Sequence, residues 1–167
     1  MSVILHELSV TERALAAGVN GPFDLPVNPT SFLLLHIRAD AGAGAPDFQQ
    51  LLSHIESVIV SFKGTQIVSM SGVDLARMVH HLWGHNLNIE GFNAVAPSLV
   101  SFTLPIPFGR KPYWMKEAFP ATRRGEFSVN LTRSAVLTNI ANPQFAIEAV
   151  QLLEAETAQF LKYVTLS

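Results

Sequence analysis

Cysteine is absent from the 167-residue chain, which excludes disulfides and thiolate metal sites and leaves the redox compartment unreadable. Charge is scarce too: Asp, Glu, Lys and Arg supply 14% of the residues, against roughly a quarter in ordinary soluble domains. So few charges cover a monomer's surface poorly, and the expectation is an obligate oligomer or assembly subunit whose outside is covered by neighbours. Long apolar runs are missing as well. No segment offers the roughly 18 uninterrupted apolar residues of a spanning helix. Val3-Ile4-Leu5, broken by His6 and Glu7, is also too short for a secretory signal, so any membrane contact is expected to be peripheral. A net charge of -2 gives no general field for nucleic acid. Arg110, Lys111, Lys116, Arg123 and Arg124 make residues 110 to 124 locally basic, but no binding motif accompanies them, and no specific nucleic acid is expected.

What is present reads mainly as β-structure. In Leu99 to Phe108, Val100, Phe102, Leu104, Ile106 and Phe108 share one parity, and Ser101, Thr103, Pro105 and Pro107 the other. Side chains alternate across a strand, so this is a half-buried strand. Two prolines remove two ladder donors, which places the strand at a rim or against a free side. After Gly109 follows an aperiodic loop carrying Arg110, Lys111, Tyr113, Trp114, Lys116 and Phe119. Structured loops at the edge of a β-domain are places where contacts are built.

Elsewhere, Val3 to Leu8 reads as a first strand, and Thr11 to Ala17 can form one or two helical turns. Gly21, Pro22, Pro26 and Pro29 make residues 20 to 30 an extended connector, so that 1–30 reads as an extended N-terminal arm. Such an arm can carry Val3 to Leu8 to a distant sheet edge, in its own chain or by strand exchange with a second copy. Phe32 to Arg38 is an apolar run suited to a strand covered on both faces. Phe48 to His54 is ambiguous. Ser57 to Phe62 and Thr65 to Met70 flank Lys63-Gly64, a hairpin signature. Ser71-Gly-Val-Asp74 resembles a capping box and opens a helix near residues 73–83. Leu75, Met78, Val79 and Leu82 form its apolar stripe, and Gly84 suits a left-handed stop. Phe127, Val129 and Leu131 mark another one-sided strand. Ala135 to Ile140 is a weaker strand stopped by Asn142-Pro143, Phe145 to Leu153 is strand or helix, and Gln159 to Leu166 is extended. About eight strands with one inserted helix fit an all-β jelly-roll barrel or sandwich, a single domain over residues 1–167.

Chemistry is sparse. His80, His81 and His85, with Glu90, are the only clustered ligand types, but the expected stop at Gly84 separates His81 from His85. A polar helix face is preferred to a metal site. Acidic residues stand singly except Glu154 and Glu156, whose simplest reading is a solvated edge. No nucleophile elbow, phosphate loop or His-Glu-x-x-His motif occurs; neither catalysis nor a cofactor is expected. Trp83, Tyr113 and Trp114 read as core and interface anchors, with a carbohydrate- or ligand-binding β-sandwich stacking its ligand on these rings as the alternative.

Taken in order, the hairpin, the Ser-x-x-Asp helix, the strand ending Leu-Pro-Ile-Pro-Phe-Gly, the aromatic loop reaching Ala-Phe-Pro, and the strand Glu-Phe-Ser-Val-Asn-Leu-Thr resemble the vertical jelly-roll major capsid proteins of tailless icosahedral double-stranded DNA viruses. Size and composition are most similar to the small single-jelly-roll coat protein of membrane-containing Thermus phages. The resemblance covers about residues 55 to 132. It implies a non-catalytic capsid subunit of the virion, made in the host cytoplasm. Such a subunit assembles with itself and a second capsid protein into an icosahedral shell around an internal membrane, with peripheral membrane contact. The residues expected at subunit contacts are Tyr113, Trp114, Arg110, Lys111, Phe119, Val3, Ile4 and Leu5.

Overall fold

A computed structural model of the protein describes residues 3–84, 86–87, 89–91 and 95–164. In chain order the elements are β1 (Ile4–Ala14), β2 (Gly18–Asp24), β3 (Thr30–Ala41), α1 (Phe48–Ser53), β4 (Ile55–Phe62), β5 (Thr65–Met70) and α2 (Gly72–Trp83). They continue with β6 (Ile89–Glu90), β7 (Leu99–Pro107), β8 (Phe127–Arg133), β9 (Ile140–Leu152) and β10 (Tyr163–Val164). One sheet has the order β1-β9-β3-β7-β6, the other β10-β5-β4-β8-β2. The chain passes from sheet to sheet at β1–β2, β2–β3 and β3–β4, and stays within one sheet at the β4–β5 hairpin. The long strands all pair antiparallel. That winding is a jelly roll, with α2 inserted before β7.

Alternation builds the core. Phe127, Val129 and Leu131 of β8 are buried while Ser128, Asn130 and Thr132 between them are only half-buried. Val100, Phe102, Leu104 and Ile106 of β7 do the same opposite Leu33, Leu35, Ile37 and Ala39 of β3, and all join one hydrophobic cluster between the sheets. Each large apolar side chain so buried contributes about 1.5–3 kcal/mol.

The local signals act as the spacing predicts. Lys63 and Gly64 have φ of 50° and 77°, the doubly positive turn that matches strand twist in a two-residue hairpin. At the start of α2 the Asp74 N–H donates to Ser71 Oγ (3.1 Å), and the Ser71 hydroxyl donates to Asp74 Oδ2 (2.8 Å). The carboxylate thus holds the capping hydroxyl rather than the cap's own N–H. Gly84 stops the helix at φ 69°, its N–H reaching the His80 carbonyl. In the ambiguous stretch Phe48 to His54, Phe48–Ser53 is a short helix opened by an Asp47/Gln50 capping box. Two prolines in β7 fit its position: β3 flanks it throughout, whereas β6 meets it only at Ser101 and Phe102. Among the described residues, no strand lies on that side along 103–107.

Several expectations need correction. Thr11 to Ala14 are not helical but continue β1, since Arg13 and Ala14 pair with Phe145 and Gln144 of β9; a helix of one or two turns is too costly to nucleate against a waiting partner strand. Residues 20–24 belong to β2, an edge strand that carries Gly21-Pro22 through a register shift, where a missing donor is tolerated. Residues 1–30 are therefore no free arm: β1 and β2 lie in opposite sheets, and Val10, Leu15 and Leu25 are core. Finally, residues 135–139 are not strand, and Asn142-Pro143 stops nothing. β9 begins at Ile140 and absorbs the pair with Asn142 at φ 48° and a register shift against β3 between Arg38 and Asp40. It runs on as strand through Phe145 to Leu152. Of the extended C-terminal stretch, Tyr163 and Val164 pair parallel with β5; Leu166 lies outside the described residues.

Candidate interface surfaces

The loop after β7 is rigid in a way its composition conceals. Glu117, in the 3₁₀ turn Met115–Glu117, is 2% exposed. Its carboxylate accepts the Arg110 backbone N–H and Nε, both at 2.7 Å, the Arg110 Nη2, and the Gln159 amide at 3.1 Å. The Arg110 hydrogen bonds hold the Glu117 carboxyl below its ordinary range against the opposing effect of burial, and raise Arg110 in return. The C-terminal segment straps this loop down. Ala158 and Gln159 N–H donate to the Lys116 carbonyl, Leu161 N–H to the Phe108 carbonyl, and Tyr163 hydroxyl to the Pro107 carbonyl.

Clamping divides the loop's side chains. Trp114, 37% exposed, carries the Arg110 and Lys111 cations 5.4 and 5.6 Å from its ring centroid. Tyr113, 46% exposed, has φ 61°, donates its N–H to Ser31 Oγ, and sets its ring edge-to-face on Phe32. Phe119, expected at a subunit contact, is instead fully buried. Its backbone pairs with Thr30 in both directions, and its ring stacks on Phe127 at 4.4 Å, so it is a core residue.

At the other side of the molecule, β1 is the outermost strand of its sheet. It is seated on β9 of its own chain, Ile4 opposite Leu152 and Ala14 opposite Gln144, far from its neighbour in sequence. Val3, Ile4, Leu5 and Leu8 are 40–54% exposed along it.

Of the residues singled out for metal, three are described. His80 and His81 are exposed on the last turn of α2, Glu90 is exposed on β6, and His85 lies outside the described residues. Among the described residues no group of three or more His, Asp or Glu is placed to hold a metal ion. Glu154 and Glu156 are exposed beyond the end of β9.

Two polar features had no sequence signal because their members are far apart in the chain. His6 on β1 bonds Glu148 on β9; Glu148 contacts His36 of β3 at 3.3 Å; His36 meets Thr103 of β7 at 2.9 Å. This chain of contacts crosses four consecutive strands. Burial raises the Glu148 pKa, but the bonds from both histidines outweigh it and leave the carboxyl below its ordinary range. At the end of β8, Arg133 takes the inward parity after Phe127, Val129 and Leu131. Its Nε and Nη1 are buried without a hydrogen-bond partner among the described residues.

An open groove of about 840 Å³ lies over β3 and β7, bounded by the end of α2 and the loop at Pro112 and Tyr113. Trp83 and Tyr113 both line it, whereas Trp114 does not.

No protein-family model and no curated protein sequence matches the chain. Solved structures do. The fold superposes on the STIV MCP with a TM-score of 0.67 at 17% identity, over 89% of this chain and 48% of that one. Against the quasi-atomic PBCV-1 virus capsid the TM-score is 0.65 at 12% identity, over 92% and 42%. PBCV-1 VP54, fitted into a reconstruction of the virophage Sputnik, gives 0.62 at 11% identity, over 92% and 43%. The chain thus spans less than half the length of each, and what it shares with these viral major capsid proteins is the jelly-roll fold.

Proposed function

We propose that this chain is a non-catalytic structural subunit of an icosahedral virus shell. The observation that carries the reading is the strand winding itself: two sheets wound as a jelly roll, with α2 between β5 and β7, superpose over about nine tenths of the chain on viral capsid proteins. Surface chemistry supports self-association. Val3, Ile4, Leu5 and Leu8 on an outermost strand, and Trp114 under two cations, are apolar surfaces that a shell subunit covers with neighbours. Of the contact residues expected from the sequence, Phe119 is core and Tyr113 lines the groove; Trp114, Arg110, Lys111, Val3, Ile4 and Leu5 stay in the proposed contact set, joined by the exposed Leu8. A second capsid protein, an enclosed internal membrane touched peripherally, a place in the virion and synthesis in the host cytoplasm complete the reading; the motif order in residues 55 to 132 supports them.

Negative-stain microscopy and light scattering over a concentration series test it. Rings, sheets or shells are expected from the purified protein, alone or with virion extract. A monodisperse monomer throughout both series overturns the assembly reading.

A further inference from the structure

The groove over β3 and β7 is lined by Leu8 at its β1 side and by His36 and Thr103 of the polar contact chain, and its aromatic side has no role described so far. Its wall is an aromatic row. Trp83 at the end of α2 and Tyr113 in the loop each meet Phe32 edge-to-face with centroids 5.3 Å apart, at 72° and 75°. Phe32 is 5% exposed between them, and all three rings line the cavity, the two outer ones with more surface open to it. Tyr113 is held there at some cost. A bulky residue at φ 61° is strained, and the buried Ser31 hydroxyl fixes its N–H at 2.9 Å, although nearly half of the residue stays exposed. Strain that gains so little core burial is a mark of positioning.

Along the floor lie Glu12, Arg38, Glu90 and Ser101. Arg38 and Glu12 are both half-exposed and only 3.8 Å apart at their nearest atoms, a loose pair that a hydroxyl can enter. Glu90 receives the Ser101 hydroxyl on Oε2 at 3.1 Å and is otherwise exposed. A volume of about 840 Å³ lies within the range of ligand sites, and the lining is mostly aromatic and aliphatic with polar side chains set along one part of it.

The charges choose among ligands. Among the described lining residues the charged groups are two carboxylates and one guanidinium, with the His36 imidazole beside them, and the carboxylate excess disfavours a phosphodiester backbone or an acidic sugar. An acyl chain would strip water from all three charged groups without bonding them. A pyranose ring answers both surfaces, since its C–H face packs on an aromatic ring and its rim of hydroxyls bonds carboxylate and guanidinium. We propose that this groove binds a short neutral oligosaccharide, packed on Tyr113 and Trp83 and bonded through its hydroxyls by Glu90 and Arg38. On a shell subunit this would be a receptor-binding surface, but the site stands whether or not the chain assembles.

Saturation-transfer NMR on the full chain with cellotetraose, chitotetraose, mannotetraose and maltotetraose, with heparin as the anionic control, tests it directly. At least one neutral tetrasaccharide is expected to give saturable binding, and heparin none. Affinity should fall at least about tenfold in Tyr113→Ala and in Glu90→Gln, and stay unchanged in Val19→Ala on the opposite sheet. Glu90 is exposed, so its variant reads the site even if Tyr113→Ala fails to fold. Three results overturn the proposal: no saturable signal from any neutral sugar, binding that survives both groove variants, or heparin bound in preference. Light scattering on the same samples separates this from assembly: variants that change particle mass and leave sugar signals absent assign the groove to a second copy.

Discussion

Glu117 and Arg133 show what a buried charge requires. The Glu117 carboxylate is surrounded by donors from Arg110 and Gln159, and its depressed pKa is the signature of that satisfaction. A carboxyl with a folded pKa below its unfolded value stabilises the protein fully above the unfolded value, about 4.3, and loses that contribution as pH falls through the folded one. Glu117→Gln keeps the shape and removes the charge. Urea unfolding should show it about 1–3 kcal/mol less stable at pH 7, with the gap to wild type closing as pH falls below about 4. A constant gap across pH would show that shape, not charge, matters there. Arg133 is the reverse case, a guanidinium on the core parity of β8 with Nε and Nη1 unpaired among the described residues. Arg133→Met replaces it with an apolar chain of similar length and is expected to raise the Tm rather than lower it. The same variant has a pH signature. Burial first, and then the Arg133 charge, lower the pKa of His54, although backbone acceptors at Thr138 and Val136 pull it up. A depressed histidine contributes stability that is present above about 6.5 and is lost as pH falls from there toward its folded value. Stability should therefore depend less on pH just below 6.5 in Arg133→Met; an unchanged slope would remove Arg133 as a cause.

Elements whose instructions are local were legible, and those specified by a partner were not. The β4–β5 turn needs two positive-φ residues, and Lys63-Gly64 supplies them; α2 needs a hydroxyl cap and a left-handed stop, and Ser71 and Gly84 supply those. By contrast, whether Thr11 to Ala14 extend β1 depends on β9, more than a hundred residues away, and Pro143 sits inside a strand because a bulge absorbs it. Surface contacts suffered in the same way. No period distinguishes Tyr113, Trp114 and Phe119 in an irregular loop, and only the pairing of Phe119 with Thr30 decides that one ring is core. The contact chain from His6 through Glu148 and His36 to Thr103 is invisible until four strands lie side by side. Seating α2 on the domain also has a signature that spacing does not show. A Cβ at Gly72 would stand 2.6 Å from the Leu52 carbonyl oxygen and 2.9 Å from the Ile55 Cβ, so the first turn of α2 rests directly on the end of α1 and the start of β4. Gly72→Ala, which ordinarily favours a helix, should here destabilise by about 1–3 kcal/mol in thermal or urea unfolding. A neutral or stabilising result would mean the helix can lift away without loss.

Across the whole molecule the question is which surface needs covering. In the first sheet β6 and the end of α2 stand beside β7, while the opposite edge is β1 alone. Edge strands of proteins that stay apart are blunted by charged side chains, proline or bulges. In β1 the two register shifts and the Glu12-Arg13 pair all lie beyond Leu8, which leaves Ile4 to Leu8 a regular edge. β1, Ile-Leu-His-Glu-Leu-Ser-Val-Thr-Glu-Arg-Ala, has no lysine or proline. Its apolar side chains at Ile4, Leu5 and Leu8 are 40–54% exposed. Because β1 is already seated on its own β9, these side chains contribute little to the fold of one subunit and are available to another. Substituting Leu5 and Leu8 together with lysine separates the two roles. Light scattering should show a shift toward monomer at concentrations where the wild type associates, with a Tm changed by no more than a few degrees. Deleting residues 1 to 8 is a different perturbation: it leaves Val150 and Leu152 of β9, both buried, without the strand that faces them, and should lower the Tm markedly. If the double lysine variant keeps the full wild-type mass at every concentration, β1 is not a contact between subunits, and association must run through Trp114 and the basic loop around it.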